Sequence, residues 1–366
     1  MSQVFEQQCR ERILAASPGA PLLLRGGGSK DFYGRPVQGD IVDTRSHRGV
    51  VAYEPTELVV TVRAGTPLAE LEAVLAEKGQ YLAFEPPHFG PDATVGGMVA
   101  AGLSGPRRAQ AGAVRDFVLG VRLMDGQGQV LDFGGQVMKN VAGYDVPRLL
   151  AGSLGQLGLL LEVSLKVLPR PVAEATIRLE TSQAKALALM NQWGGKPLPI
   201  SATVWSDAGH PDGEAITVRL SGARAAVAAA QAALGGTLVE AGVASAFWAG
   251  VREQTHPFFA GAGGANEPAL WRLAVPSTAP QLDLPGRTLV EWGGAQRWLV
   301  SDAEPRRIRE TVEKTGGHAT LFRGPAAARD QAFHPLASPL LDIHRRLKAT
   351  FDPRGVFAAG RLYEGL

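Results

Sequence analysis

The chain has 366 residues, 45% apolar and 20% charged, with 45 Gly, 25 Pro and a formal net charge of +2 from 37 basic and 35 acidic side chains. That length exceeds one ordinary core, so two domains, or one with a large insertion, is the expectation, and the composition is that of a globular, turn-rich chain. The charge balance gives no electrostatic footprint for nucleic acid, and no run of Lys or Arg marks an anionic membrane surface.

A single cysteine, Cys9, excludes an internal disulfide and an iron–sulfur cluster held by this chain alone, and it fits a reducing compartment. The start, Met1-Ser2-Gln3-Val4-Phe5-Glu6, has neither a basic nor an apolar leader region, so no signal peptide is expected. No apolar stretch reaches the roughly 18 to 20 residues of a spanning helix, so membrane association is expected only through a partner.

Residues 4–16 carry Val4, Phe5, Cys9, Ile13 and Leu14 near a helical period, and Pro18-Gly19 stops the helix. Leu22, Leu23 and Leu24 form a short buried strand that runs into Arg25-Gly26-Gly27-Gly28-Ser29, and Ile41-Val42 marks the next strand. Residues 50–63 read as two strands around Glu54-Pro55-Thr56-Glu57. Thr66-Pro67 opens a helix, Thr66 as N-cap and Pro67 as first helical residue, with Leu68, Leu71, Val74 and Leu75 on one face and Gly79 at its end. After Phe84-Glu85-Pro86-Pro87-His88-Phe89-Gly90, Thr94-Val95-Gly96-Gly97 opens a small-residue helix to about Ser104. Strands at 117–124 and 130–133 flank the hairpin signal Asp125-Gly126-Gln127-Gly128, and Gly152-Ser153-Leu154-Gly155-Gln156-Leu157-Gly158 leads into a strand over 159–168.

Beyond Pro169 and Pro171 the pattern changes. Strand-like runs fall near 175–180, 201–205, 215–220, 271–275, 289–292 and 297–300, with helical runs near 183–193, 223–234 and 305–314. That mixture predicts an antiparallel sheet with helices on one face. Residues 261–266 read as a mobile loop, a last helix covers about 336–351, and the sequence contains no internal repeat.

Three segments carry candidate chemistry. Consecutive glycines at 26–28 can turn their amides one way as a nest for an anion, and without side chains they let a diphosphate approach the backbone, with Ser29 adding a hydroxyl; alone, the loop reads equally well as a flexible turn. Gly28-Ser29-Lys30 is not the order of a P-loop, and Gly152, Gly155 and Gly158 do not have the G-x-G-x-x-G spacing of a Rossmann turn. Thr94-Val95-Gly96-Gly97 suits a bulky anion or flat ring, or close helix packing. Gly152, Gly155 and Gly158 serve a ligand or a tight turn before a strand.

The three in this order resemble the FAD-binding domain shared by vanillyl-alcohol oxidase and p-cresol methylhydroxylase relatives, over about residues 18–170 and again in Phe351-Asp352-Pro353-Arg354-Gly355-Val356-Phe357-Ala358-Ala359-Gly360-Arg361. Within that family the chain resembles the FAD-binding subunits of bacterial glycolate oxidases. Four segments carry that likeness: Pro86 to Gly90, Met138-Lys139-Asn140-Val141-Ala142-Gly143-Tyr144-Asp145, Glu291-Trp292-Gly293-Gly294-Ala295-Gln296-Arg297-Trp298, and Gly360-Arg361-Leu362-Tyr363.

The resemblance implies an α+β fold: a two-subdomain FAD-binding domain of the p-cresol methylhydroxylase type over 1–171, an antiparallel-sheet cap domain over 172–335, and a helix and tail, 336–366, returning to the first domain. It implies Arg25, Gly26, Gly27, Gly28 and Ser29 at the pyrophosphate, with Asp92, Thr94, Val95, Gly96 and Gly97 along the cofactor's middle. Gly112 and Asp116 fall at a further contact loop, and Gly152, Gly155, Gly158 and Leu159 close the site. The implied partners are a larger homologous FAD-linked subunit and an iron–sulfur subunit, with a small hydroxy acid as substrate; the implied location is cytoplasmic, at the inner membrane only through partners.

Some positions depart from the pattern. Lys30, Asp31, Phe32 and Tyr33 follow the glycine loop where covalent relatives place a His, and Cys9 is badly placed for attachment, so FAD is expected to be non-covalent. His47, His88, His210, His256, His318, His334 and His344 form no H-x-H or H-x-x-x-H pair, so no metal is expected. Leu154 stands where larger relatives carry Glu, and Ala358-Ala359 where Asn-Pro is usual, which weakens the case for substrate turnover in this subunit. No general base is assigned. Two other functions remain open: a non-catalytic assembly subunit, and a free-standing FAD oxidase of another small hydroxy acid.

Overall fold

The computed structural model describes residues 2–135, 144–207 and 213–366. His210 and residues 138–143 of the Met138-to-Asp145 motif lie outside them. The chain divides into two units: Met1–Leu103, Gly112–Arg170 and Pro335–Leu366 form the first, and Ser104–Ala111 with Pro171–His334 the second.

In the first unit, α1 (Ser2–Ala15) buries Cys9 and Ile13 against Leu22, Val42, Met124, Leu161 and Phe357. β1 (Leu22–Arg25) pairs in parallel with β2 (Asp40–Asp43). The segment after the last helix docks beside β1: Leu22 donates to the Val356 carbonyl at 2.7 Å, and Ala358 donates back to Leu22 at 2.8 Å. β3 (Val50–Glu54) and β4 (Val59–Arg63) form the expected hairpin, followed by α2 (Leu68–Glu77), β5 (Gln80–Tyr81) and α3 (Val95–Ala101). β6 (Val118–Met124) and β7 (Val130–Gly134) form the second hairpin, whose turn is closed by the Asp125 carboxylate accepting from the amides of Gln127 and Gln129 at 2.9 and 2.8 Å. β8 (Leu159–Lys166) sits at the centre of the antiparallel sheet β3-β4-β8-β6-β7, and its run of Leu and Val supplies the core.

Three boundaries differ from expectation, each for a local reason. Pro67 rather than Thr66 caps α2; the Thr66 hydroxyl instead donates to the Arg63 carbonyl at 2.6 Å and accepts from the Gly49 amide at 2.9 Å, locking the turn after β4. α3 stops at Ala101, short of Ser104, because Gly102 takes the left-handed C-cap at φ 64°. The strand expected over 159–168 breaks at Lys166, and β9 (Leu168–Pro169) pairs separately with β5.

His47 is buried in this unit, its ring stacked on Phe5 at 4.7 Å. Burial, reinforced by Arg63, holds its pKa below the ordinary histidine value against the opposing pull of Glu6 and a hydrogen bond at the Leu161 backbone. Below pH about 6.5 the unfolded imidazole takes up a proton that the folded one resists, so this contribution to stability is present at higher pH and lost as pH falls. The urea midpoint of wild type is therefore expected to drop more between pH 7.5 and 5.5 than that of His47→Gln; equal drops in the two proteins would contradict this.

The second unit is built on β10 (Ala173–Glu180), β11 (Ile200–Ser206), β12 (Ala215–Gly222), β13 (Thr237–Leu238), β14 (Ala269–Ala274), β15 (Arg287–Glu291), β16 (Gln296–Ser301) and β17 (His318–Arg323), antiparallel in the order β13-β10-β12-β11-β15-β16-β14-β17. Helices Gln183–Gly194 and Arg224–Leu234 pack on β10, β11 and β12, and Pro305–Glu313 on β14, β16 and β17. Sequence reading missed β13, β17 and the helix Ala241–Glu253, whose Gly242 and Gly250 weaken its helical signature.

Counted within each set of four, the strands lie in the same spatial order, 4-1-3-2, the split β-α-β arrangement. The second set lacks a helix between its first two strands, where residues 275–286 run irregularly. The unit thus repeats a topology that its residues do not repeat, and the two halves meet along β11 and β15. Residues 261–266, expected as a mobile loop, include a closed turn: Gly263 donates to the Pro268 carbonyl at 2.8 Å and Gly264 to the Glu267 carboxylate at 2.9 Å.

Candidate functional site

β1 delivers the chain into the glycine loop, and each glycine is required for its own reason. A Cβ on Gly26 would lie 2.3 Å from Thr94 Oγ1, and one on Gly27 only 1.6 Å from the Asp92 carbonyl oxygen. Gly28 is left-handed at φ 75°, and a Cβ there would lie 2.2 Å from Arg25 Nη2. The amides of Gly26, Gly27, Gly28 and Ser29 have no acceptor among the described residues. Arg25 folds back under the loop, where Nε and Nη2 meet the Asp31 carboxylate at 2.8 and 2.7 Å. Lys30 Nζ donates to the His88 carbonyl at 3.0 Å and to Ser29 Oγ at 3.2 Å, and stands 5.5 Å over the Phe89 ring.

Thr94 caps α3, its hydroxyl accepting from the Gly97 amide at 3.2 Å. Gly96 presses on Ala64, where a Cβ would fall 2.8 Å from the alanine methyl, and Gly96 donates to the Ala64 carbonyl at 2.7 Å. The third glycine segment binds the end of α3 through Gly152 to Val99 and Leu154 to Ala100, at 3.0 and 2.9 Å. It turns by left-handed steps at Leu154, φ 52°, and Gly155, φ 78°; at Gly158, φ 154°, a Cβ would lie 2.9 Å from the Met124 carbonyl.

These three segments surround one cleft. Of the sequence-derived candidates, Arg25, Gly26, Gly27, Gly28, Ser29, Thr94, Gly96, Gly97, Gly155, Gly158 and Leu159 line it. Asp92 stands behind Gly27, Val95 is fully buried behind α3, and Gly152 packs against Gly102, where a Cβ would approach its Cα to 2.9 Å. Gly112 and Asp116 are not among the lining residues; the Asp116 carboxylate accepts from the Ala113 amide at 2.9 Å and faces Arg148 at 3.6 Å.

Sequence reasoning missed Leu23, Leu24, Ala64, Ala100, Ala101, Leu154 and Leu160, which supply apolar wall, and Thr44, Lys30, Asp31, Ser153 and Arg361, which supply most of the polar remainder. Ala100 and Ala101 lie one helical turn beyond Gly96 and Gly97, a spacing legible in the sequence. Arg361 is 331 residues from Lys30, and no local pattern links them. The cleft therefore joins acceptor-free amides and fixed cations to walls of Leu and Ala, a chemistry suited to an extended ligand with an anionic section and a flat apolar section.

Other candidates take structural places. His88 Nε2 pairs with Glu72 at 3.1 Å. Cys9 is 3% exposed and burial pushes its thiol up to about 11, so it is not a nucleophile at neutral pH. The Glu291-to-Trp298 motif builds a corner of the second unit: Trp292 donates to the Gly105 carbonyl at 3.0 Å under the Arg108 guanidinium, and the Glu291 carboxylate accepts from Trp298 at 2.7 Å and from Gln296. Among the described residues no group of three or more His, Cys, Asp or Glu side chains comes together as a metal site, and no helix is long and apolar enough to cross a membrane.

The FAD binding domain family model matches residues 6–134. The chain is 49% identical over 365 residues to glycolate oxidase subunit GlcE of Escherichia coli, covering 100% of this chain and 98% of that protein. Identity to glycolate oxidase subunit GlcD of Bacillus subtilis is 30% over 159 residues, covering 43% of this chain and 34% of that one; to D-lactate dehydrogenase of Archaeoglobus fulgidus it is 32% over 152 residues, 41% and 34%. Among solved structures, an alkyldihydroxyacetonephosphate synthase superposes with a TM-score of 0.65 at 14% identity, over 97% of this chain and 74% of that one, a likeness of fold. The α+β class expected from sequence, an FAD-binding part of the p-cresol methylhydroxylase type with an antiparallel-sheet part, is the observed one.

Proposed function

The chain belongs to the family of the glycolate oxidase subunit GlcE, and on that premise we propose that it is the FAD-binding subunit of a complex that oxidises glycolate, or a close 2-hydroxy acid, to the 2-oxo acid. The reaction removes two electrons and two protons from the substrate; FAD, when bound, supplies the acceptor for the hydride. The electrons then leave through an iron–sulfur subunit, and a larger GlcD-type subunit is the second flavin partner. The protein works in the cytoplasm and meets the inner membrane only through those partners. The first unit, Met1–Leu103 with Gly112–Arg170 and Pro335–Leu366, is the FAD-binding domain, and the second, Ser104–Ala111 with Pro171–His334, is the cap.

One observation carries this reading: a glycine loop with four acceptor-free amides lines a cleft whose remaining walls are largely apolar. The residues fit FAD. Gly26, Gly27, Gly28 and Ser29 would hold the diphosphate, which side chains at 26–28 would exclude, while Thr94, Gly96, Gly97, Ala100, Gly155, Gly158 and Leu159 would hold the rest between helix and strand. Asp92, Val95 and Gly152 support that shape from behind. Among the described residues the lining carries no His, Cys or Tyr to which flavin attaches, and this supports non-covalent binding. Leu154 puts an apolar side chain on the wall, which favours substrate turnover in the larger subunit.

The test is the absorption spectrum of the purified chain, alone and with its partners, before and after acid precipitation. Flavin bands that move to the supernatant are expected. Bands that stay with the pellet overturn the non-covalent reading. Absence of flavin from this subunit in both preparations leaves the assembly role, and turnover by the isolated chain favours a free-standing oxidase.

A further inference from the structure

The geometry points to Arg361 as a positioning residue that clamps the glycine loop and sets how tightly the cofactor's diphosphate is held. This rests on the reading of the loop as the diphosphate site. Arg361 follows the segment that docks beside β1 through Val356 and Ala358, so the same hydrogen bonds that seat that segment bring it to the loop's far end. Its Nη2 donates to the carbonyls of Lys30 and Asp31, at 3.2 and 3.4 Å, and its own carbonyl accepts from the Arg35 amide at 2.9 Å. The contact runs in both directions, and it fixes the stretch immediately after Ser29.

The charges around the loop have different work. Arg25 is neutralised by Asp31, at 2.7 Å. The Lys30 ammonium is turned to the His88 carbonyl and the Phe89 face. Arg361 lines the same cleft as the loop and carries a charge that never titrates in the working range. A planar guanidinium that grips two consecutive carbonyls orders the loop; its charge on the wall also favours a dianionic group at the amides. Loss of Arg361 is therefore a loss of preorganisation and of field together, with the glycine backbone left intact.

The experiment compares Arg361→Gln, Arg361→Lys and Gly27→Val with wild type. Each is stripped of flavin and titrated with FAD, and the dissociation rate is followed by the rise in flavin fluorescence. Arg361→Gln is expected to bind FAD about 10 to 100 times more weakly, and Arg361→Lys about 3 to 10 times, because an ammonium keeps the charge without the guanidinium's planar, preorganised donors. The unfolding midpoint of the flavin-free Arg361 variants is expected to match wild type. Wild-type dissociation constants and rates in the Arg361 variants, with flavin lost from Gly27→Val, overturn the clamp and leave the diphosphate site standing. Wild-type binding in Gly27→Val overturns the site itself. Should Arg361→Gln fail to fold, Arg361→Lys decides alone: unchanged retention overturns the clamp.

Discussion

Replacing Gly27 by valine is expected to weaken FAD retention by at least about a hundredfold, equivalent to about 2.7 kcal/mol. The first atom of the new side chain would fall 1.6 Å from the Asp92 carbonyl oxygen, a backbone atom that cannot step aside without moving the entry to α3. The loop must then lift away from 92–94, and the acceptor-free amides of Gly26, Gly28 and Ser29 move with it. Equilibrium dialysis or flavin fluorescence reads the loss directly, and circular dichroism separates it from unfolding. Wild-type affinity in a folded Gly27→Val protein would sink the assignment of this loop. Serine at the same position is expected to fail as well, because the obstruction is a Cβ and not a bulky branch.

The second large effect concerns stability. Arg297, in β16, is 1% exposed, and its guanidinium donates to the carbonyls of Ala279 and Pro280 and, at 3.3 Å, to that of Gly294. Burial lowers its pKa to about 10, so it remains a cation at neutral pH. It ties the irregular 275–286 stretch to the sheet, the place where the second half of the unit lacks a helix. Arg297→Ala would leave three carbonyls with one donor fewer and a cavity in their midst, at a cost of roughly 3 to 5 kcal/mol. Denaturant unfolding is expected to show the loss, and Arg297→Lys a partial recovery. An alanine variant within about 1 kcal/mol of wild type would show that the stretch is held by other contacts.

Much of the fold was legible because local chemistry and global packing agree. Leu22-Leu23-Leu24 before three glycines, the Asp125 turn and the alternation of β12 each say the same thing at short and long range. The three glycine segments were legible for a similar reason: a residue without a side chain is conspicuous where a strand or helix would otherwise have one. What surrounds them was not. Arg361 reaches the loop through the pairing of 356–358 with Leu22, and a contact between distant segments leaves no periodicity. Leu154 takes a left-handed conformation that its residue type does not announce. The matching 4-1-3-2 halves were hidden because topology is kept by pairing and buried volume, which different residues supply equally well.

The junction between those halves has a consequence for how the protein is made. β11 and β15 are matched at three positions, Val204 with Glu291, Trp205 with Val290 and Ser206 with Leu289. Every other pairing of β10 to β13 closes within that half. During synthesis the amino-terminal half can therefore complete its ladder while the remainder is still in the ribosome. It then waits with β11 as an open edge whose side chains are almost all apolar or buried in the finished protein. The arrival of β15 is the event that shuts this edge, so delays in translation between residues 239 and 287 prolong the interval in which nascent chains can cross-pair.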